Sequence, residues 1–143
     1  MDTSPPRSLA DWLALLEKRH PRTVDLGLER CGEVWRRLGK PQPAPRTIVV
    51  AGTNGKGSVV ATTCALLGSL GYRHGSYTSP HLLEFNERVS LDGRPVSDAT
   101  LLRAFERVEA ARGEVILTYF EFTTLAAFCV LERGDLDFAV LEV

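Results

Sequence analysis

Lys56 stands in the string Gly52-Thr53-Asn54-Gly55-Lys56-Gly57-Ser58, one residue after the β-branched run Thr47–Val50. Gly52, Gly55 and Gly57 lack a Cβ, so neighbouring backbone N–H groups can turn together around an anion. The Lys56 ammonium adds a full positive charge, and the Ser58 hydroxyl adds an oxygen that can face a divalent cation. Together these are the means of holding a nucleotide: backbone N–H groups for the phosphates, Lys56 for the β- and γ-phosphates, Ser58 close to Mg²⁺. A carboxylate, Glu142, lies near the end of the apolar run "DFAVLEV". An acid beside such a loop is a common Mg²⁺ ligand.

The match to the usual phosphate loop is incomplete. The pattern G-x-x-x-x-G-K-[ST] needs Gly where Val50 stands and Ser or Thr where Gly57 stands. The competing reading is a glycine-rich turn that caps a helix, with Glu142 an ordinary solvated glutamate.

These residues need elements to position them. "RTIVVAG" reads as a strand and "GSVVATTCALLGSLG" as a helix that stops at Gly71. "RHGSYTS" reads as a second strand and "LDFAVLEV" as a third. "PHLLEFNERVSLDGRPVS" has no clean period and reads as loop with a short hairpin at "RVSLDGRPV". "SDATLLRAFERVEAARG" and "YFEFTTLAAFCVLERG" read as helices, the former burying Leu101, Leu102, Phe105 and Val108. From Thr47 on, strands alternate with helices, the signature of an α/β fold with a parallel sheet and helices on both faces. Two helices precede it. "SLADWLALLEKRH" carries Ser8 and Asp11 at capping-box spacing, and "LERCGEVWRRLG" puts Leu28, Cys31, Trp35 and Leu38 on one face before Gly39. The expected division is residues 1–46 as a helical extension and 47–143 as the start of a nucleotide-binding domain. The apolar strand at the carboxyl end predicts a fold truncated within the sheet.

Composition narrows the choices. The 143 residues carry 17 basic and 18 acidic side chains, a formal net charge of -1. No basic excess favours a nucleic-acid or membrane partner. Only three residues are lysines, and one of them is Lys56. The amino terminus shows no secretory pattern, and the apolar stretches are too short to span a bilayer. Cys31, Cys64 and Cys129 form neither a metal pair nor a disulfide framework, which suits buried thiols in a reducing cytoplasm.

"AGTNGKGS", "DLGLER" at Asp25–Arg30, "YTSPHLLEFNERV" at Tyr77–Val89, "LTYFEFTTLAAF" at Leu117–Phe128 and the closing "LEV" occur in one order. With these segments the chain closely resembles the folylpolyglutamate synthase/dihydrofolate synthase family of the Mur ligase superfamily, from about Leu9 to its end. Gly57 between Lys56 and Ser58 is the folate-branch form of the loop. The resemblance implies an ATP-dependent amide ligase of folate biosynthesis: ATP phosphorylates a pterin carboxylate, and the amine of glutamate attacks the acyl phosphate. It implies ATP and Mg²⁺ as cofactors, small-molecule substrates, a monomeric parent and a Mur ligase-like central domain.

Residue by residue, the resemblance puts the ATP loop on Gly52, Thr53, Asn54, Gly55, Lys56, Gly57 and Ser58, with Lys56 catalytic. It puts Mg²⁺ positions on Ser79 and Glu142. It puts pterin-binding segments on Asp25, Leu26, Gly27 and Leu28 and on Thr118, Tyr119, Phe120 and Glu121, where aromatic rings can stack on a flat ligand. On pattern alone Ser79 before Pro80 is a turn residue, and Leu26, Leu28 and Phe120 are core. His81 reads as structural, and Glu87 with Arg88 as a solvated loop pair. The family's next glycine-rich segment, its later histidine and carbamylated lysine and its second domain have no counterpart in these residues. The sequence therefore reads as the amino-terminal part of a longer ligase, and the chain alone is expected not to turn over.

Overall fold

The computed structural model describes residues 6–19 and 27–143. They form two compact units.

One unit contains the described residues up to Lys40 together with Asp98–Ala126. Its helices are α1 (Leu9–Arg19), α2 (Glu29–Arg37), α4 (Asp98–Arg112) and the first part of α5 (Tyr119–Glu132). The expected capping box opens α1: Asp11 N donates to Ser8 Oγ at 3.1 Å, and Ser8 N donates to Asp11 Oδ2 at 3.0 Å. Its buried stripe is Leu9, Trp12 and Leu16. The core is an aromatic cluster. Trp12 stacks on Phe122 and meets Phe105 edge-on, with both centroids 6.0 Å away, and Phe105 meets Phe122 edge-on at 5.5 Å. In α2 the buried residue is Val34, and Leu28 just before it is 83% exposed rather than part of the buried stripe that its spacing suggested.

Glu109 of α4 ties this unit together. It accepts from Arg19 Nη1 at 2.5 Å and Nη2 at 2.9 Å, and from Arg112 Nη2 at 2.5 Å. Burial pushes its carboxyl up, but the bonds from Arg112 and Arg19 outweigh burial and lower its pKa from 4.5 to about 2. A group whose folded pKa is depressed stabilises above its unfolded pKa and loses that contribution as pH falls. Acid titration followed by helical circular dichroism should therefore show stability lost between about pH 5 and 2. Glu109→Gln should flatten that part of the profile.

The other unit is Pro41–Ser97 with Ala127–Val143. Its strands are β1 (Arg46–Val50), β2 (His74–Tyr77), β3 (Val89–Leu91), β4 (Arg94–Pro95) and β5 (Phe138–Glu142), in the order β1-β5-β2-β3-β4. β1, β5 and β2 are parallel, as the alternation of strands and helices predicted. β3 and β4 extend the sheet antiparallel, so it is mixed. They form the anticipated hairpin, turned by Asp92 and Gly93 at φ 47° and 77°, the left-handed pair that a two-residue turn demands.

α3 (Lys56–Ser69) covers one face of this sheet. Val60, Cys64 and Leu67 of α3 cluster with Val50 and Val140, flanked by Ile48 and Phe138. On the opposite face Gly75 of β2 lies against the last turns of α5. A Cβ there would stand 2.5 Å from Leu131 Cδ2 and 2.6 Å from Leu136 Cδ1, so the close approach requires glycine. β1 ends the sheet order and has no strand on its outer side among the described residues.

Candidate functional site

Strand register assembles the site. In parallel α/β sheets ligands bind beyond the carboxyl ends of the strands. Val50, the last residue of β1, is paired with Glu142, the last of β5. Tyr77, at the end of β2, is paired with Leu141, so Thr78 and Ser79 leave the sheet on the other side of Glu142. The glycine loop leaves β1 and enters α3. Loop, acid and serine thus emerge at one sheet edge, in the spatial order loop–Glu142–Ser79. Gly57, Ser79 and Glu142 line one cleft of about 760 Å³, together with Thr78, Pro80 and Glu87.

The loop is shaped to receive an anion. Gly55 caps α3 at φ 78°, a left-handed conformation that puts no Cβ toward the mouth of the loop. The first helical hydrogen bond runs from Val59 N to Gly55 O at 3.1 Å. The N–H groups of Lys56, Gly57 and Ser58 come before it and have no acceptor inside the helix. No side chain caps them, and no acidic residue stands in the first turn. The positive end of the α3 dipole is therefore not neutralised by the helix's own side chains. Lys56 Nζ donates to Gly52 O at 2.9 Å, folding the ammonium back over the loop. An incoming phosphate offers that ammonium a stronger acceptor than a backbone carbonyl.

Two carboxylates line the cleft, and they differ. Glu142 is half-buried and makes no hydrogen bond or ion pair among the described residues. Glu87 is engaged by the backbone: its oxygens accept the N–H groups of Leu82, Leu83 and Glu84 at 2.8–2.9 Å. These bonds, that from Glu84 foremost, hold its carboxyl below the ordinary glutamate range. The solvated loop pair that the sequence suggested for Glu87 and Arg88 is thus a structured clasp. Its signal, a carboxylate three to five residues after a run of free N–H groups, is a local one. Among the described residues no group of three or more His, Cys, Asp and Glu side chains could cage a metal ion. Ser79 and Glu142 offer two oxygens at the cleft instead. That suits Mg²⁺, which commonly takes one or two protein ligands and completes its shell with phosphates and water.

The remaining candidates belong to the first unit or lie outside the described residues, as Asp25 and Leu26 do. Leu28 is 83% exposed and Phe120 is 50% exposed. Thr118 and Glu121 form a capping box at the start of α5: Thr118 N donates to Glu121 Oε2 at 2.8 Å, and Glu121 N donates to Thr118 Oγ1 at 3.1 Å. Glu121 also pairs with Arg30 at 3.0 Å. Cys31, Cys64 and Cys129 form no disulfide among the described residues, and burial pushes the thiols of Cys31 and Cys64 up. No helix among the described residues is long and apolar enough to cross a membrane.

No family model matches the chain. Whole-protein comparisons are decisive. The dihydrofolate synthase/folylpolyglutamate synthase of Escherichia coli strain K12 is 45% identical over 135 residues, 94% of this chain and 32% of that protein. The Haemophilus influenzae protein of the same description is 43% identical over 145 residues, 99% of this chain and 31% of that protein. The solved structure of E. coli FolC in complex with DHPP and ADP matches with a TM-score of 0.94 at 44% identity, over 98% of this chain and 34% of that one.

This chain belongs to the dihydrofolate synthase/folylpolyglutamate synthase family.

It spans about a third of the length of the curated relatives it matches. A second solved family member, the bifunctional folylpolyglutamate synthase/dihydrofolate synthase of Yersinia pestis complexed with AMPPNP and Mn ion, matches with a TM-score of 0.93 at 45% identity. It is covered over 98% of this chain and 35% of that one. The mixed sheet and the helices described above are thus the fold of the family over the matched third.

Proposed function

We propose that this chain supplies the nucleotide-binding part of an ATP-dependent ligase of folate biosynthesis, which joins L-glutamate to dihydropteroate, to folate (poly)glutamates, or to both. The observation that carries the reading is the meeting of a glycine loop, Lys56, a helix start with no side-chain cap, Ser79 and a Glu142 carboxylate without a partner among the described residues at one sheet edge. Family members solved with ADP, or with AMPPNP and Mn ion, support it.

On this reading Gly52–Ser58 hold the phosphates of ATP, and residues 47–143 are the first part of the ATP-binding domain. Lys56 leaves Gly52 O and neutralises charge on the phosphoryl group as it passes to a pterin carboxylate. The glutamate amine then displaces phosphate from the acyl phosphate. Ser79 and Glu142 would hold Mg²⁺, which supplies further neutralisation of phosphate charge when bound. Of the pterin candidates, Leu28 and Phe120 present apolar surface that a flat ring can cover. Thr118 and Glu121 fix the first turn of α5, which carries Tyr119 and Phe120; Gly27, Asp25 and Leu26 complete the proposed segment. The setting is a monomeric cytoplasmic enzyme with small-molecule substrates.

The test is phosphate release by the ligase. Release that requires both a pterin carboxylate and glutamate supports the reading. Release from ATP with neither present overturns it in favour of a nucleotide hydrolase. The one-third span also favours a second reading, in which the chain by itself binds nucleotide without turnover; calorimetry with ADP and a single-turnover assay separate the two. Glu142→Gln is expected to lower Mn²⁺-dependent AMPPNP affinity at least about tenfold, since even residues that only orient a metal ligand cost that much. Affinity without metal should stay constant.

A further inference from the structure

We infer that Glu87 is a positioning residue for the site, acting through the loop that carries Ser79. The inference rests on the proposed role of Ser79 and goes beyond it.

The segment from Thr78 to Arg88 is closed on itself. Thr78 N donates to Arg88 O at 2.9 Å, which pins the base of the loop. Arg88 Nε donates to His81 Nδ1 at 2.9 Å, which ties the end of the loop back to its start. The Arg88 guanidinium lies over the Phe85 ring at 5.3 Å, and the His81 ring meets the same phenyl edge-on at 5.9 Å. Phe85 itself is buried. These contacts fix the base and one side of the loop, and they leave its tip open.

At the tip apolar burial has no hold. Leu82 is 91% exposed and Leu83 is 88% exposed. What gives this stretch its path is Glu87. Its Oε2 accepts Leu82 N at 2.9 Å, and its Oε1 accepts Leu83 N at 2.9 Å and Glu84 N at 2.8 Å. Three charge-assisted bonds converge on one carboxylate, and each is stronger than a bond to a neutral acceptor. Glu87 also lines the cleft beside Ser79 and Pro80. Three of its roughly four lone-pair sites are taken by backbone N–H groups, so it serves the site chiefly by shaping the loop, whereas no such bond occupies the Glu142 carboxylate among the described residues. Because the clasp lies within eleven residues, its loss loosens the loop locally and leaves the sheet and α3 in place.

The experiment compares Glu87→Gln, Glu87→Asp and Ser79→Ala in the purified chain. Hydrogen exchange at Leu82, Leu83 and Glu84 and AMPPNP affinity with and without Mn²⁺ are measured for each. Glu87→Gln is expected to speed exchange at those three amides and to weaken Mn²⁺-dependent binding about 10- to 100-fold. Metal-free affinity, set by the glycine loop, should hold, and Glu87→Asp should restore part of the loss. A purely structural defect would lower both affinities together and would overturn the inference. So would faster exchange with unchanged Mn²⁺ dependence while Ser79→Ala lowers it. If Ser79→Ala leaves Mn²⁺ dependence intact, or the unaltered chain shows none, the proposed role of Ser79 fails first and the inference falls with it.

Discussion

Lys56→Ala is expected to weaken ATP binding about tenfold to a hundredfold without unfolding the chain. A hydrogen bond to a charged group contributes about 1.5–3 kcal/mol, and each 1.4 kcal/mol is about a tenfold change in affinity. Lys56 is placed to make such a bond and little else. Among the described residues Nζ bonds only to Gly52 O, at 2.9 Å, on an exposed loop. Removing the side chain therefore costs the fold no more than about 0.5 kcal/mol, the usual scale of a surface change. In a ligase that carries this segment, the proposed role predicts that phosphoryl transfer suffers more than binding, by about 10²–10³-fold, because the charge that Lys56 would oppose grows toward the transition state. Lys56→Arg should rescue poorly, since a planar fork does not fit where a compact ammonium sits. Calorimetry with AMPPNP, a thermal melt and a phosphate-release assay would show this. Unchanged nucleotide affinity in a folded variant would remove Lys56 from the site.

Phe105→Ala is expected to cost about 3–5 kcal/mol, the range for truncating a buried aromatic ring. Domains as a whole are stable by about 5–15 kcal/mol, so this one change approaches the full margin. Phe105 has no exposed surface, and it meets Trp12 of α1 and Phe122 of α5 edge-on. Truncating it removes two aromatic contacts and leaves a cavity between three helices. Urea unfolding read by tryptophan fluorescence in a Trp35→Phe background, which leaves Trp12 as the reporter, and by near-ultraviolet dichroism reports the loss where it occurs. Phe105→Leu should cost much less, because it keeps most of the volume. A cost for Phe105→Ala below about 1 kcal/mol would show that the cluster does not anchor this unit.

Elements whose cause is local were legible in the sequence. Ser8 and Asp11 start α1 by bonding to each other's backbone. Asp92-Gly93 turns a hairpin because both take positive φ. The β-branched run before Gly52 forms β1, and the loop that follows enters α3 as its glycines and lysine implied. What depended on distant partners was not legible. Nothing near Phe138 says that β5 lies between β1 and β2, yet that order sets Glu142 beside the loop. Leu28 has helical spacing with Cys31, Trp35 and Leu38, but of that stripe Leu38 is buried and Leu28 is exposed, while Val34 is buried beside it, because the exact face depends on what packs against it. Likewise nothing near α1 and α2 says that they share a compact unit with α4 and the start of α5, far along the chain. Glu87 was misjudged for a different reason. It accepts backbone N–H groups within its own loop, a local spacing that reads as solvated because the segment has no clean period.

The outer position of β1 has a consequence for handling the chain. A strand at the end of a sheet exposes a row of backbone donors and acceptors, which natural proteins blunt with lysine, proline or a bulge. β1 has none of these between Arg46 and Val50, and Val49 is 58% exposed. Two such edges can zip together, so concentrated solutions of the chain should turn cloudy on standing, with a rise in β-sheet signal. Thr47→Lys, at an exposed position of that strand, should keep them clear.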